Sequence, residues 1–339
     1  MYRMNNYTIW LTTDCNLRCK YCYEGVEKKS IVMDQDLATK IVDFICENFD
    51  ENSEELCIDF HGGEPLLNYE VLVFFIETLR VRMPNCKKNY SLTTNATVLN
   101  DEKIKYLAQN IKNVSVSIDG CKEKHDYYRI FPSGKGSYDI AAANSLKLLD
   151  LLGERLRVRM TFSPKTIGGL SEDMQNLYNM GFKTVSALPD IFSNEWQKED
   201  FVLLKKEIEQ AKRKINREEV SFNLLDPLMV QKKGKCLGGI VEIDIYPNGD
   251  FYPCTMASGI EEFRIGNIEC GIDIEKRNNI LANSDEEMHE CAGCDMYLFC
   301  ECVRCRIVNQ LTMGDYMAPN FVQCMYNNTI IDANGYILM

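Results

Sequence analysis

Three cysteines within eight residues decide most of what this chain can be. Cys15, Cys19 and Cys22, spaced C-x3-C-x2-C, follow directly on the strand-like run Tyr7 to Thr13. Three soft thiolates therefore leave a strand end on one short loop and converge, a donor set that suits iron and sulfide. A closed metal site takes four protein ligands. No further cysteine follows until Cys46, whose surroundings repeat with helical periodicity and read as core, so Cys46 is expected to be a buried thiol. The fourth corner is left open to a small molecule. The competing interpretations are unrelated structural cysteines or a partial zinc site.

The rest of the cysteine usage points the same way. Of sixteen cysteines, nine fall between Cys236 and Cys324, and only Cys46, Cys57, Cys86 and Cys121 are scattered between the two groups. No secretory signal is visible, which favours metal or redox chemistry over a disulfide framework and leads us to expect a cytoplasmic protein. No apolar run reaches transmembrane length. With 38 Lys and Arg against 50 Asp and Glu, the net charge of -12 argues against a nucleic-acid partner.

Along the chain, strand and helix patterns alternate. Asp34 is placed to cap a helix running to about Asn48; a buried strand spans Glu55 to Phe60; a helix spans Tyr69 to Arg82. Further pairs follow: strand Tyr90 to Thr93 with helix Asp101 to Asn110, strand Val114 to Ile118 with helix Tyr138 to Leu152, and strand Leu156 to Phe162 with helix Ser171 to Met180. A last strand near Thr184 to Ala187 precedes a charged helix from about Glu195 to Asn216. Such alternation builds a parallel sheet with right-handed crossovers, with chemistry at the strand C-terminal ends. The expected division is an α/β partial (β/α)6 TIM-like barrel over residues 1–219, a connector over 220–235, and a small Cys-rich domain over 236–339 with a β-hairpin and short helices.

The cysteine loop, with Tyr21 immediately before its third cysteine, resembles the cluster loop of radical S-adenosylmethionine (SAM) enzymes. In that family three cysteines hold a 4Fe-4S cluster whose unique iron is chelated by SAM. Gly62-Gly63-Glu64-Pro65, one βα unit later, resembles the GGEP motif that holds the SAM amino group. The resemblance also implies SAM contacts from Thr94 and Asn95 at the end of the third strand and from Ser117 and Asp119 at the end of the fourth. His125-Asp126-Tyr127-Tyr128-Arg129 is similar to an HDxxR stretch of peptide-modifying members, in which the Arg helps to fix SAM. His125 has an equally good structural interpretation, and His61 and His289 read as structural.

The C-terminal cysteines resemble the SPASM domain, whose pattern is C, a gap, G-x4-C, a gap, C-x2-C-x5-C-x3-C, a gap and C. Cys236, Gly249-x4-Cys254 and Cys291-x2-Cys294-x5-Cys300 match in order. At x3 the chain departs, offering Cys302 at x1 and Cys305 at x4. The resemblance implies two auxiliary 4Fe-4S clusters, and hence three clusters in the protein. Cys291, Cys294, Cys300 and Cys324 would hold the distal one. Cys236, Cys254 and either Cys302 or Cys305 would hold the proximal one, with Cys270 as a fourth ligand or an iron left open. A zinc ribbon on Cys291, Cys294, Cys302 and Cys305 is the structural alternative.

Family likeness then implies an enzyme that abstracts hydrogen from a ribosomal precursor peptide and forms a thioether or other side-chain crosslink. It would draw electrons from a donor such as flavodoxin or ferredoxin. The alternative is sulfatase-maturing oxidation of Ser or Cys to formylglycine. In that relative an Asp follows the cysteine of G-x4-C and serves as base; here the position is Thr255, with Asp250 the weak substitute. An alternative of another class is a non-catalytic iron-sulfur electron-transfer protein. Only fourteen residues precede Cys15, too few for a winged-helix leader-recognition domain, so leader recognition is expected from a separate protein, from the barrel surface, or not at all.

Overall fold

The computed structural model describes residues 4–25, 29–50, 52–282 and 286–339; residues 1–3 of the expected barrel lie outside them. Seven strands run parallel in chain order, β1 (Asn6–Trp10), β2 (Glu55–His61), β3 (Lys87–Thr94), β4 (Asn113–Ser117), β5 (Leu156–Phe162), β6 (Thr184–Pro189) and β7 (Ser221–Phe222). Helices α1 (Gln35–Asn48), α2 (Tyr69–Arg82), α3 (Asp101–Asn110), α4 (Lys122–Tyr128), α5 (Tyr138–Leu152), α6 (Leu170–Asn179) and α7 (Lys198–Lys214) fill the crossovers. This is the expected run of six strand-and-helix units. Local chemistry sets the boundaries: the Asp34 side chain accepts from Leu37 N at 2.8 Å and caps α1, a contact worth about 1 kcal/mol.

The sheet does not end where the barrel was expected to end. The 220–235 connector carries β7 and β8 (Leu228–Val230), and β8 pairs with the C-terminal β13 (Tyr336–Leu338). Strand β9 (Glu242–Ile245) pairs in parallel with β1, and β10 (Asp250–Tyr252), β11 (Gly266–Asn267) and β12 (Gly271–Ile272) continue antiparallel in the same eleven-stranded sheet. The Cys-rich segment also holds α8 (Ile274–Ala282), α9 (Glu301–Arg304), α10 (Arg306–Met313) and α11 (Phe321–Asn334). Helix α11 seats on the far flank of the barrel, where Tyr326 Oη donates to Ala187 O at 3.2 Å and the ring lies against Phe162.

Alternation along the strands separates two environments. Leu56, Ile58, Phe60, Leu92, Val114, Val116, Val158, Val185, Ile243 and Ile245 face the helices in one apolar core. The opposite face is polar: Thr8, Asp59 and Ser91 lie in register across β1, β2 and β3, and Ser117, Arg159 and Ser186 across β4, β5 and β6. A closed barrel fills this space with branched apolar side chains. Here the sheet stays open, and its inward face carries polar and charged side chains.

Candidate active site

At the C-terminal ends of the strands the lumen widens into a cavity of about 460 Å³. Cys15, Cys19, Tyr21 and Cys22 line it from the loop after β1, and Gly62, Gly63 and Glu64 from the end of β2. A larger cleft of about 760 Å³ opens where the α1–β2 and α2–β3 turns meet, lined by Cys46, Met83 and Cys86. That places it at the opposite ends of the strands, away from the candidate residues. Cys46 is thus only partly buried, flanking the core rather than sitting inside it as its helical pattern suggested.

Two glycines set the distance between the cysteine loop and β2. A Cβ on Gly62, whose φ is +151°, would stand 2.5 Å from Thr12 O, and one on Gly63 would stand 2.5 Å from Asp14 O. Only bare backbone fits this approach. It is held by Gly63 N donating to Thr12 O at 3.0 Å and Glu64 N to Asp14 O at 2.8 Å. Glu64 is buried and points at donors: Thr94 Oγ1 and Asn95 N at 2.8 Å, and Leu66 N at 3.2 Å. Burial pushes its carboxyl up to about 7 in spite of these bonds. Thr94 and the Asn95 backbone therefore position Glu64. The Asn95 side chain instead reaches the loop, donating to Asn16 Oδ1 at 2.9 Å and lying 3.9 Å from the Cys15 sulfur. Ser117 lines the cavity.

Asp119 organises the next wall. It accepts from Tyr21 Oη at 2.5 Å, Arg129 Nε at 2.8 Å and Thr161 N at 2.9 Å. The Arg129 guanidinium lies 5.3 Å from the Tyr21 ring centroid, and among the described residues its terminal nitrogens make no hydrogen bond. His125 is structural, behind this group. Its Nδ1 accepts from Asp119 N at 3.3 Å, so Nε2 carries the proton and donates to Ser137 Oγ at 2.9 Å; Ser137 in turn donates to Arg129 O at 2.7 Å. Burial lowers the imidazole to about 4, which keeps it neutral.

The C-terminal cysteines separate into two neighbourhoods. Cys254 feels Cys305 and Cys236, and Cys305 feels Cys236, each thiol being pushed up first by burial. Cys291 feels Cys300, Cys324 and Cys294. Cys302 is buried at the edge of this second group, next to Cys300, with its sulfur 3.4 Å from Gln323 Oε1. Of the two residues left open by the spacing, Cys305 lies with Cys236 and Cys254, while Cys302 does not. The zinc-ribbon set is divided between the two neighbourhoods. Cys270 is exposed on the β11–β12 turn and is not a principal neighbour of Cys254 or Cys305. Among the described residues no three His, Cys, Asp or Glu side chains suit a single metal ion. A cuboidal iron-sulfur cluster spreads its thiolates wider than one ion does, and the loop cysteines share one cavity wall.

One expectation needs correction. Asp250 does not line the cavity: it faces the outer flank, 3.3 Å from Arg264 and bonded to Asn248 at 2.7 Å. His61, expected to be structural, ends β2 at the cavity wall, its ring 4.4 Å from that of Trp10. Tyr23, Arg159, Thr161, Leu188, Phe192, Met256 and Gln323 also line the cavity and were not singled out from the sequence. For Arg159 the signal was present in the polar alternation of Leu156 to Phe162.

A partial parallel barrel with a three-cysteine loop after its first strand and a glycine-opened acid after its second defines a class of enzyme. The chain belongs to the radical SAM superfamily, whose profile matches residues 11–180. Its relatives include the cysteine-type anaerobic sulfatase-maturating enzyme of Clostridium novyi, 25% identical over 319 residues, 85% of this chain and 84% of that protein. In fold it is similar to anSMEcpe solved with bound AdoMet (TM-score 0.80, 20% identity, 97% and 96% of the two chains). It is also similar to Streptococcus suis SuiB bound to S-adenosylmethionine (TM-score 0.67, 16% identity, 95% and 77% of the two chains).

Proposed function

We propose that this radical SAM enzyme modifies a side chain of a ribosomal peptide, holding a 4Fe-4S cluster on Cys15, Cys19 and Cys22. The observation that carries the reading is the cavity, where the loop cysteines, buried Glu64 and Arg129 meet beneath a mouth formed by Tyr23, Leu188 and Phe192. The residues present fit the cofactor. Glu64 is a buried acid at a glycine cradle that a Cβ would fill, suited to an ammonium. Arg129 offers terminal N–H groups suited to a carboxylate. Held there together, a 4Fe-4S cluster and SAM would supply radical chemistry that removes hydrogen from a substrate carbon.

The chain's own part is positional. The sheet wall excludes water, the Asp119–Arg129–Tyr21 group fixes one end of the cofactor, and Tyr23, stacked on Phe192 at 6.4 Å, frames the entry. In this reading residues 236–339 form an auxiliary-cluster domain. Cys291, Cys294, Cys300 and Cys324 would hold one cluster, and Cys236, Cys254 and Cys305 would be ligands of the other. These clusters would take the second electron or bind a substrate thiolate. Crosslinking, thioether formation above all, is the first choice of product.

The sulfatase-maturing reading has its own support in the likeness to anaerobic sulfatase-maturating enzymes along nearly the whole chain. Solved relatives carry peptides, anSMEcpe the Kp18Cys peptide and SuiB the precursor SuiA. No acid stands at Thr255, but Asp244 is near, accepting from Trp10 Nε1 at 3.2 Å and Ser258 Oγ at 3.3 Å and pushed up to about 7 by burial. Asp244 does not line the cavity, however, so in this structure it does not meet a substrate.

The test is anaerobic co-expression with the short reading frame beside the gene, followed by mass spectrometry of the alkylated peptide. Loss of a hydrogen pair together with an alkylation site means a thioether. An aldehyde formed on a sulfatase-derived Cys peptide, with the encoded peptide unchanged, would replace the first reading by the second.

A further inference from the structure

Among the described residues, the charged groups that line the cavity have hydrogen-bond or ion-pair partners, Arg159 excepted. Glu64 has its donors and Arg129 has Asp119. Arg159, on the inward face of β5 between Ser117 and Ser186, lines the same cavity and is exposed to it. Among the described residues its guanidinium makes no hydrogen bond, and no carboxylate oxygen approaches within 4.0 Å. The acid that acts on it is Asp59, on the opposite wall, which among the described residues makes no ion pair either. Asp59 is pushed up to about 6, first by burial and further by Glu242, and Arg159 only partly offsets this.

The lumen is thus divided, with acids on β2 and β9 facing arginines on β5, where Arg157 lies one inward position below Arg159. An arginine on a cavity wall with no hydrogen-bonded anion among the described residues gives up hydration without gaining a partner. A planar fork in that state matches a carboxylate through two parallel hydrogen bonds. The cofactor's carboxylate already has a candidate in Arg129, against the cysteine loop. Arg159 lies further along the wall, next to Tyr23, whose phenol interacts with it.

We propose that Arg159 is a specificity residue that takes a carboxylate of the peptide substrate, placed beside the side chain to be modified. The inference rests on the peptide-modifying reading above and adds the chemical class of the peptide. The carboxylate comes from an Asp or Glu neighbour of the modified residue or from a free C-terminus. Both are the same ligand for the guanidinium.

The probes are synthetic peptides of one sequence around a single Cys. They carry Glu or Gln beside that Cys, and a free or amidated C-terminus. Affinity is measured by titration onto the anaerobically reconstituted full chain with SAM present. Wild type is expected to prefer a carboxylate-bearing peptide by about tenfold or more, the range of a charge-assisted pair. Preference for Glu with the amidated end identifies a side chain as the source; preference for the free end with Gln identifies the terminus. Arg159→Gln is expected to erase the preference, and Arg159→Lys to retain a reduced one. Among the described residues Arg159 makes no hydrogen bond and no ion pair, so neither variant removes one from the fold.

Equal binding of charged and neutral peptides, or a preference that survives in Arg159→Gln, overturns the inference and leaves the peptide reading standing. SAM affinity titrated on the same variant is the second readout: a fall matching the peptide loss means that Arg159 serves the cofactor, and overturns it too. If no peptide of the set binds, the peptide reading fails and takes this inference with it.

Discussion

Replacing Glu64 with Gln tests the cofactor site most directly, because the structure supplies both a magnitude and a pH signature. Buried Glu64 has a pKa of about 7, so about half the unliganded molecules carry the carboxylate at pH 7 and about a tenth at pH 6. A SAM ammonium prefers the charged form. The SAM amino group, an α-amine, stays mostly protonated below about pH 7.7, so between pH 6 and 7 Glu64 is the group that titrates. Apparent SAM affinity in wild type should therefore weaken by about fivefold from pH 7 to pH 6, the fraction of competent molecules setting the loss. Glu64→Gln keeps the volume but removes the charge, and should weaken SAM binding by about 1.5–3 kcal/mol, the worth of a charged hydrogen bond. It should also flatten the pH dependence. Calorimetric titration of SAM onto the anaerobic, cluster-loaded protein at both pH values reads both effects. Wild-type affinity in the variant, or an unchanged slope with pH, would refute the placing of the ammonium at Glu64.

Further outcomes follow from the same geometry. Gly63→Ala should lower the melting temperature and iron content together, because its Cβ meets Asp14 O at 2.5 Å, whereas Gly168→Ala, with nothing within 4 Å, should change neither. Cys305→Ala should reduce iron from about twelve to about eight atoms per chain while Cys302→Ala retains it; the reverse pattern would exchange their roles. Replacing Cys15, Cys19 and Cys22 together should abolish SAM cleavage and keep the C-terminal iron, which iron analysis and product chromatography check. His125 has a folded pKa of about 4, below the ordinary 6.5. Its contribution to stability is therefore full above about pH 6.5 and is lost as pH falls towards 4. Urea unfolding of wild type should lose on the order of 3 kcal/mol more than His125→Gln across that window.

Much of the barrel was legible in the chain. Helices Tyr69–Arg82, Asp101–Asn110 and Tyr138–Leu152 and strand Leu156–Phe162 lie where periodicity places them, since each buries one face against the same core. Helix α4 was hidden in the HDxxR stretch because it is short and polar, and its buried His125 and Tyr128 find partners only in tertiary contacts. The continuation of the barrel sheet into β9 was equally hidden, because a parallel partner far along the chain leaves no local signature.

The division between sequence and structure follows the range of the interactions. Sequence by itself determined the class of chemistry, because three cysteines on one loop, a glycine pair and an acid at a strand end are local arrangements. It also determined the strand and helix order, through periodicities that each segment carries alone. Only the tertiary structure separated Cys305 from Cys302, since three residues of spacing do not say which thiol faces Cys236 and Cys254. It alone removed Asp250 from the cavity and brought in His61 and Arg159, because the face on which an alternating strand presents a charge depends on what the sheet encloses. In this protein the sheet encloses a polar, open lumen, and an arginine that reads as surface along the chain becomes a wall of the site.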